Sequence, residues 1–203
     1  MAEKAFHEFQ LVNNPPSGSD TDQSNNSSYI SESNQAINWI PLSPSWVKLN
    51  VDAAWTKGTK KGGIGNIIRD HLGIPLLAYS VGVLCDLAFM AEAIAICSGL
   101  LLAANGGFKK VLVESNCYPL IKQLSSSDSE LAIISIHHDI VQLRKSFDDC
   151  SFSFVPRTTN TVADTLARSA LSVESPIVWP LTSPWLLHLC ESEANVCDDS
   201  LVQ

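Results

Sequence analysis

The stretch Trp46-Val47-Lys48-Leu49-Asn50-Val51-Asp52-Ala53-Ala54-Trp55 decides the fold. Apolar residues alternate with polar ones through Val47, Leu49 and Val51, which predicts a first β-strand. The alternation stops at the acidic residue Asp52. A carboxylate at the end of an apolar strand is costly to remove from water unless it is paired or binds a metal. Asp52 is therefore the first candidate site residue.

Three later stretches place polar groups where they could converge on Asp52. They are Ala91-Glu92-Ala93, Val113-Glu114-Ser115-Asn116 and Asn160-Thr161-Val162-Ala163-Asp164. Each has a simpler explanation when taken alone: a glutamate favoured at a helix start, a polar strand end, or an asparagine cap followed by a surface aspartate. The cluster is therefore a hypothesis about all four elements together.

The patterns predict an α/β domain with three antiparallel strands followed by alternating helices and strands. A parallel strand after a crossover helix forms a βαβ unit, and its carboxyl end is a usual place for a site. The glycines of the second strand lack the Gly-Lys-Ser/Thr sequence of a phosphate loop. The predicted elements after the first strand are strands 62–69 and 74–83, helix 87–104, strand 109–116, helices 117–124 and 131–147, strand 150–156 and helix 160–171.

Composition divides the chain into three parts. Residues 1–45 are polar and rich in Ser, Asn and Pro, which predicts a disordered linker. Residues 46–172 form the predicted domain and are nearly neutral, so the net charge of −8 lies in the two ends. Residues 173–203 form a predicted acidic tail containing Pro and Trp. Its tryptophans could pack on the domain or bind a partner.

The cysteines and the N-terminus predict an intracellular protein, nuclear or cytoplasmic and not secreted. The six cysteines contain no Cys-x-x-Cys pair, so neither a zinc site nor a disulfide framework is indicated. The N-terminus lacks the pattern of a signal peptide. Without a run of 18 apolar residues, no membrane partner is expected, and the sequence does not identify any protein partner.

Five short motifs follow one another along the predicted domain. They are Asn50-Val51-Asp52-Ala53-Ala54, Gly63-Ile64-Gly65 with Ile68-Arg69-Asp70-His71, Ala91-Glu92-Ala93, Val113-Glu114-Ser115-Asn116, and Val155-Pro156-Arg157 with Asn160 and Val162-Ala163-Asp164. These motifs and the order of elements resemble the type-1 ribonuclease H domain of the plant non-LTR retroelement-derived, reverse-transcriptase-like family, over about residues 46–172.

The resemblance implies a ribonuclease H-like, five-stranded mixed sheet flanked by helices, and cleavage of RNA in RNA/DNA hybrids. It implies that Asp52 bridges two Mg²⁺ ions, with Mn²⁺ as an alternative. Glu92 would hold one metal and orient the scissile phosphate, an Asp at position 116 would complete the two-metal site, and Asp164 would bind the second metal. The metals would activate water and stabilise the leaving 3′-oxygen. Metals would also relieve the repulsion among clustered carboxylates.

Two departures from the family pattern predict weakened activity. Residue 116 is Asn, whose amide oxygen can bind a metal but carries no charge. The segment Ser125 to Glu130 lacks the basic, aromatic contact surface of some relatives. Candidate nucleic-acid contacts remain, although an ordinary solvated surface explains each lysine equally well. They are Lys57, Lys60, Lys61, Lys109, Lys110, Arg157 and Asn160.

Three hypotheses of function follow: an active hybrid-specific ribonuclease, a nucleic-acid-binding module with a crippled site, and a non-catalytic interaction protein that keeps only the fold. The carboxylates of Asp52, Glu92 and Asp164 favour the first two. Asn116 favours the second over the first.

Overall fold

The computed structural model describes residues 40–125 and 131–195. The predicted linker lies outside these residues except for its last few positions, and so does most of the Ser125 to Glu130 segment. Short 3₁₀ turns at Leu131–Ile133 and Arg157–Thr159 precede the third and fourth helices. The strands are β1 (Val47–Thr56), β2 (Lys61–Arg69), β3 (Pro75–Leu84), β4 (Lys110–Ser115), β5 (Asp149–Phe154) and β6 (Ile177–Val178); the helices are α1 (Ala88–Asn105), α2 (Tyr118–Leu124), α3 (Ile134–Arg144), α4 (Thr161–Ala170) and α5 (Pro184–Asn195).

The strands form one mixed sheet in the order β5-β4-β1-β2-β3-β6. The first three strands are antiparallel, and β4 and β5 run parallel to β1, which confirms the predicted α/β arrangement. The sheet has six strands where five were predicted. The additional strand is only two residues long and pairs with Tyr79 and Ser80 at the sheet edge. The strand is hard to predict from the sequence because Pro176 and Pro180 lie close to it, and proline normally argues against a strand.

The central strand β1 is buried on both faces. Leu49 and Val51 point to one side and join the main apolar core. Leu49 is in contact distance of the Gly99 position on α1. The alternate residues Lys48, Asn50 and Asp52 are also buried. The strand therefore carries an apolar face toward α1 and a buried polar face on the other side.

Helix α1 is apolar along most of its length. Its mean hydropathy of 1.7 over 18 residues would suit a membrane span by length and composition. Its buried residues, however, are mainly alanines with Ile96, Gly99 and Leu100, and they pack into the core over the sheet. Core packing accounts for this composition. The helix ends before Gly107, whose φ of 76° suits glycine.

Helix α4 lies directly on β2 because two glycines leave room for its backbone. A Cβ at Gly65 would lie 2.3 Å from the Ala163 carbonyl oxygen, and one at Gly63 would lie 2.1 Å from the Ala167 carbonyl oxygen. Both distances are far below van der Waals contact. Helix α4 carries Asp164, so these glycines set how closely that carboxylate approaches the sheet.

The segment after residue 172, predicted as a tail, is structured over most of its described part. Trp179 is buried, and its indole Nε1 donates a hydrogen bond to Ser80 Oγ at 2.9 Å. Trp179 and Trp185 meet edge to face with ring centroids 5.1 Å apart. With Leu186 and Cys190 they form a second apolar cluster against β2, β3 and α4. The tryptophans pack on the domain.

Candidate active site

Asp52 lies near the carboxyl edge of the parallel strands and is buried. Its Oδ1 accepts a hydrogen bond from the Ala53 backbone N–H at 2.9 Å. Burial, with the negative charge of Asp164 as the second cause, raises the pKa of the Asp52 carboxyl to about 7. A carboxylate in this position favours the approach of a positive charge.

Glu92 enters the same region from the first half of α1. Its Oε2 atom is buried and has no hydrogen-bond partner among the described residues. Burial raises the pKa of Glu92 to about 8, with the charge of Asp52 as the second cause. An unsatisfied buried carboxylate oxygen is unusual in a folded protein, and a water molecule or a cation could pair with it.

Asp164 approaches from α4, but both of its oxygens are engaged. Arg157 donates from Nη2 to Oδ1, and Arg168, one turn further along the helix, donates from Nε to Oδ2 at 2.8 Å. The pKa of Arg157 is raised chiefly by Asp164, with smaller effects of Asp52 and Glu92. The Arg157 guanidinium is therefore within electrostatic reach of all three carboxylates.

Asn116 lies at the end of β4, half-buried. The parallel register pairs Val51 with Ser115, so the residues that follow, Asp52 and Asn116, are neighbours at the same edge of the sheet. The structure thus brings Asp52, Glu92 and Asp164 into one electrostatic group and places Asn116 beside it. Their catalytic and metal-binding roles stay predictions.

The predicted nucleic-acid contacts occupy different surroundings. Asn160 is fully buried: its Nδ2 donates to the Val51 carbonyl oxygen at 2.9 Å and its Oδ1 accepts from Asn50. As placed, this amide holds α4 to β1 and is not open to a nucleic acid. Arg157 has an exposed side chain but is turned toward Asp164.

The predicted lysine contacts fall into two groups. Lys57, Lys60 and Lys61 lie in or beside the exposed β1–β2 turn, where Lys60 pairs with Asp86 at 2.6 Å. Lys109 and Lys110 lie at the start of β4, the far end of that strand from Asn116. Only the turn lysines continue the strand that carries Asp52.

A buried polar network lies on the same face of β1 as Asp52. Lys48 lies 3.0 Å from Glu114, and Asn50 donates to Glu114 at 2.8 Å. Arg69, fully buried on β2, donates from Nη2 to Asn50 at 2.8 Å and lies 2.7 Å from Glu193. The Arg69–Glu193 contact has ion-pair distance without the alignment of a hydrogen bond.

Glu193 connects this network to the helix that carries Asp164. Its Oε1 accepts from the Thr161 hydroxyl at 2.7 Å and from the Val162 backbone N–H at 2.8 Å, at the start of α4. A carboxylate there satisfies a free helix N–H group and favours the positive end of the helix dipole. Sequence analysis missed this role, although charged Lys48 and Arg69 at inward strand positions were a usable signal.

An exposed aromatic pair lies at the same sheet edge. Tyr118 and Phe154 meet edge to face with centroids 5.5 Å apart. Phe154 pairs in register with Ser115, and Tyr118 is two residues after Asn116. Sequence analysis did not anticipate this surface, because the two rings come from separate elements.

The side chains at this edge include oxygen donors of the kind that a divalent cation takes. Asp52 and Glu92 offer carboxylate oxygens, which Mg²⁺ prefers, and Glu92 Oε2 lacks a partner. Asp164 is held by two arginines and Asn116 is neutral. In residues 40–125 and 131–195, no three His, Cys, Asp or Glu side chains are arranged to hold a metal by themselves.

The sequence profile described as reverse transcriptase-like matches residues 50–170. No curated protein matches the chain. Among solved structures, the chain is similar to RNase H1 from the archaeon Halobacterium salinarum, at 25% identity and a TM-score of 0.59, over 62% of this chain and 97% of that one. It is also similar to LC11-RNase H1, solved in complex with an RNA/DNA hybrid, at 22% identity and a TM-score of 0.57, over 62% and 96% of the two chains. The N-terminal RNase H domain of a Mycobacterium tuberculosis protein matches at 21% identity and a TM-score of 0.58, over 62% and 93%.

Proposed function

Since the chain belongs to the reverse transcriptase-like family and has the fold of ribonuclease H structures, we propose that it binds RNA/DNA hybrids and hydrolyses their RNA strand with metal-dependent, weakened activity. The observation that carries this proposal is the pair Asp52 and Glu92. Both are carboxylates with raised pKa at one edge of the sheet, and Glu92 Oε2 is without a partner.

Asp52 and Glu92 would hold a divalent cation, with the amide oxygen of Asn116 as a neutral neighbour. Bound Mg²⁺ or Mn²⁺ would lower the pKa of a water and stabilise negative charge on the scissile phosphate. The buried carboxylates orient their oxygens without needing to be desolvated during the reaction. The network behind Asn50 and Asn160 keeps β1 and α4 in fixed positions.

The proposal also covers the evolutionary origin of the domain and its location in the cell. We propose that the domain derives from a plant non-LTR retroelement and acts in the nucleus or cytoplasm. The five sequence motifs support the origin. The free cysteines at 85, 97, 117, 150 and 190, all within the described residues, support the location.

The test is cleavage of an end-labelled RNA/DNA hybrid by the full chain and by Asn116→Asp. Asn and Asp are nearly isosteric, so the substitution adds a charge beside Asp52 with little repacking. We expect weak cleavage by the parent and a gain on the order of a thousandfold in Asn116→Asp. Asp52→Asn serves as the blank for contaminating nuclease.

The outcomes separate the parts of the proposal. Full activity in the parent would show that Asn116 is no defect. No cleavage by either the parent or Asn116→Asp, with circular dichroism unchanged, would reject hydrolysis as the function.

The second candidate is a non-catalytic nucleic-acid-binding or protein-interaction module. The observation that favours it is the engagement of both Asp164 oxygens by arginines. Filter binding of hybrid at two salt concentrations discriminates, because phosphate contacts make affinity fall steeply with salt. Binding that weakens with salt, without cleavage, would support a binding module; no binding would support protein interaction.

A further inference from the structure

We propose that the exposed rings of Tyr118 and Phe154 form a stacking surface for an unpaired base, so that the domain prefers a hybrid from which a single strand extends. The surface would act together with the binding of the hybrid beside it, so this inference rests on the hybrid binding in the proposed function. It adds a preference for the nucleic acid that adjoins the hybrid.

The two rings are exposed together, unlike the other aromatic side chains of the domain. Tyr118 is 57% and Phe154 is 43% exposed, and they are the only aromatic residues among the exposed large hydrophobic ones of positions 40–125 and 131–195. They come from α2 and β5 and meet edge to face with ring centroids 5.5 Å apart. Single exposed apolar residues are ordinary, but a contiguous exposed pair at a candidate site favours a binding surface.

The aromatic pair lies at the edge of the sheet that carries Asp52. Ser115 is in register with Val51 on one side and with Phe154 on the other. Neighbouring strands are about 4.8 Å apart, so the backbone of Phe154 is about 10 Å from the β1 position next to Asp52. Successive phosphates of a base-stacked strand are roughly 3.4 Å apart along the axis, so a base at the rings would lie within about three nucleotides of a phosphate at Asp52.

The charge beside the rings favours a phosphate backbone. Lys122 is exposed and follows Tyr118 by about one helical turn, so the two side chains lie on the same side of α2. Neither α2 nor residues 154–160 contain an acidic residue. Aromatic rings beside a positive charge are the combination with which many proteins bind single strands.

An unpaired base fits these rings better than a paired one. In a duplex the faces of each base are covered by its neighbours, and only base edges, sugars and phosphates can be reached. The face of an unpaired base can stack on an aromatic side chain, and every base has such a face. The surface should therefore distinguish unpaired from paired strands and be nearly indifferent to their sequence.

The experiment compares the binding of the full chain to matched substrates by fluorescence anisotropy in Mg²⁺, with the RNA checked for cleavage afterwards. The substrates are a blunt RNA/DNA hybrid, the same hybrid with a short single-stranded RNA extension at the 5′ or the 3′ end, and the same extensions built from abasic units. The abasic extensions have the same number of phosphates, so any difference in affinity comes from the bases. For one of the two ends we expect about tenfold tighter binding of the extension that carries bases.

Four variants locate that difference. Tyr118→Leu and Phe154→Leu keep apolar bulk but remove a ring, so each should lose most of the tenfold difference without a change in circular dichroism. Tyr118→Trp keeps an aromatic face and should retain the difference. Leu72→Ala is the matched control, because Leu72 is 65% exposed in the β2–β3 turn, at the other end of β1 from Asp52; it should also retain the difference.

Equal affinity of the parent for extensions with and without bases at both ends, with the blunt hybrid bound, would overturn this inference and leave the proposed hybrid binding intact. A preference that persists in both leucine variants, or that is also lost in Leu72→Ala, would overturn the role of the two rings. Binding of no substrate at all would reject this inference together with the hybrid binding.

Discussion

Replacing Glu193 with Gln tests whether helix α5 is part of the folded domain. Glu193 is buried, lies 2.7 Å from the fully buried Arg69, and accepts hydrogen bonds from Thr161 and Val162. Gln keeps the shape but removes the carboxylate that lies at ion-pair distance from Arg69. Removing one partner of a buried ion pair costs about 3–5 kcal/mol. For a domain of this size each kcal/mol lowers Tm by about 2–4 °C, so we expect a decrease of about 6–20 °C.

The assay is thermal and urea unfolding followed by circular dichroism. Glu191→Gln is the control, because Glu191 lies on the same helix but is exposed; it should change the free energy of unfolding by less than about 0.5 kcal/mol. An equally small change in Glu193→Gln would refute the reasoning. The double variant Arg69→Met/Glu193→Leu, which removes both charges, should be more stable than Glu193→Gln.

Three further predictions concern packing, pH and nucleic-acid contact. Gly65→Ala should destabilise the domain by about 1–3 kcal/mol or more in urea unfolding, because the added Cβ would collide with α4. Gly58→Ala is the control: its added Cβ would have no heavy atom within 4 Å, so the free energy of unfolding should hardly change. The pKa values of Asp52 and Glu92 are raised from 3.8 and 4.5 to about 7 and about 8, so their contribution to stability is present below about pH 4 and lost as pH rises through 7 and 8. Metal-free protein should therefore unfold at a lower temperature at about pH 9 than at about pH 5. If the double variant Asp52→Asn/Glu92→Gln shows the same difference between the two pH values, the explanation is wrong. If the lysines at 57, 60 and 61 contact phosphates, changing all three to Gln should reduce the salt slope of hybrid binding by about 0.7–0.9 per contact, and exposed Lys145→Gln should leave the slope unchanged.

Local patterns predicted most of the fold. The period of two in β1 and the apolar helix ending before Gly107 both appear where the sequence placed them. Predicted element bounds agree to within one or two residues, except at 131–147, where a 3₁₀ turn precedes a helix that ends at Arg144. These features depend on neighbours in sequence, so sequence reveals them.

The surroundings of the site were harder to predict from the sequence. The approach of Asp52, Glu92 and Asp164 was anticipated, but the burial of Asn160 depends on Asn50 and Val51, far away in sequence. The pairing of Arg168 with Asp164, four residues apart on a helix, could have been deduced. The pairing of Arg69 with Glu193 could not, because no local pattern links a strand in one half of the chain to a helix at its end.

The Arg69–Glu193 pair has a consequence for the order of events during synthesis. The two residues are separated by most of the domain, and translation adds about 5–20 residues per second. Counted from its own synthesis, Arg69 therefore waits about 6–25 s for its counter-charge, an interval that ends only after strands β1–β5 have emerged. Throughout that interval the nascent sheet has a guanidinium that cannot yet be buried without a large desolvation cost. The end of the chain thus sets the time at which the sheet can close over its polar face.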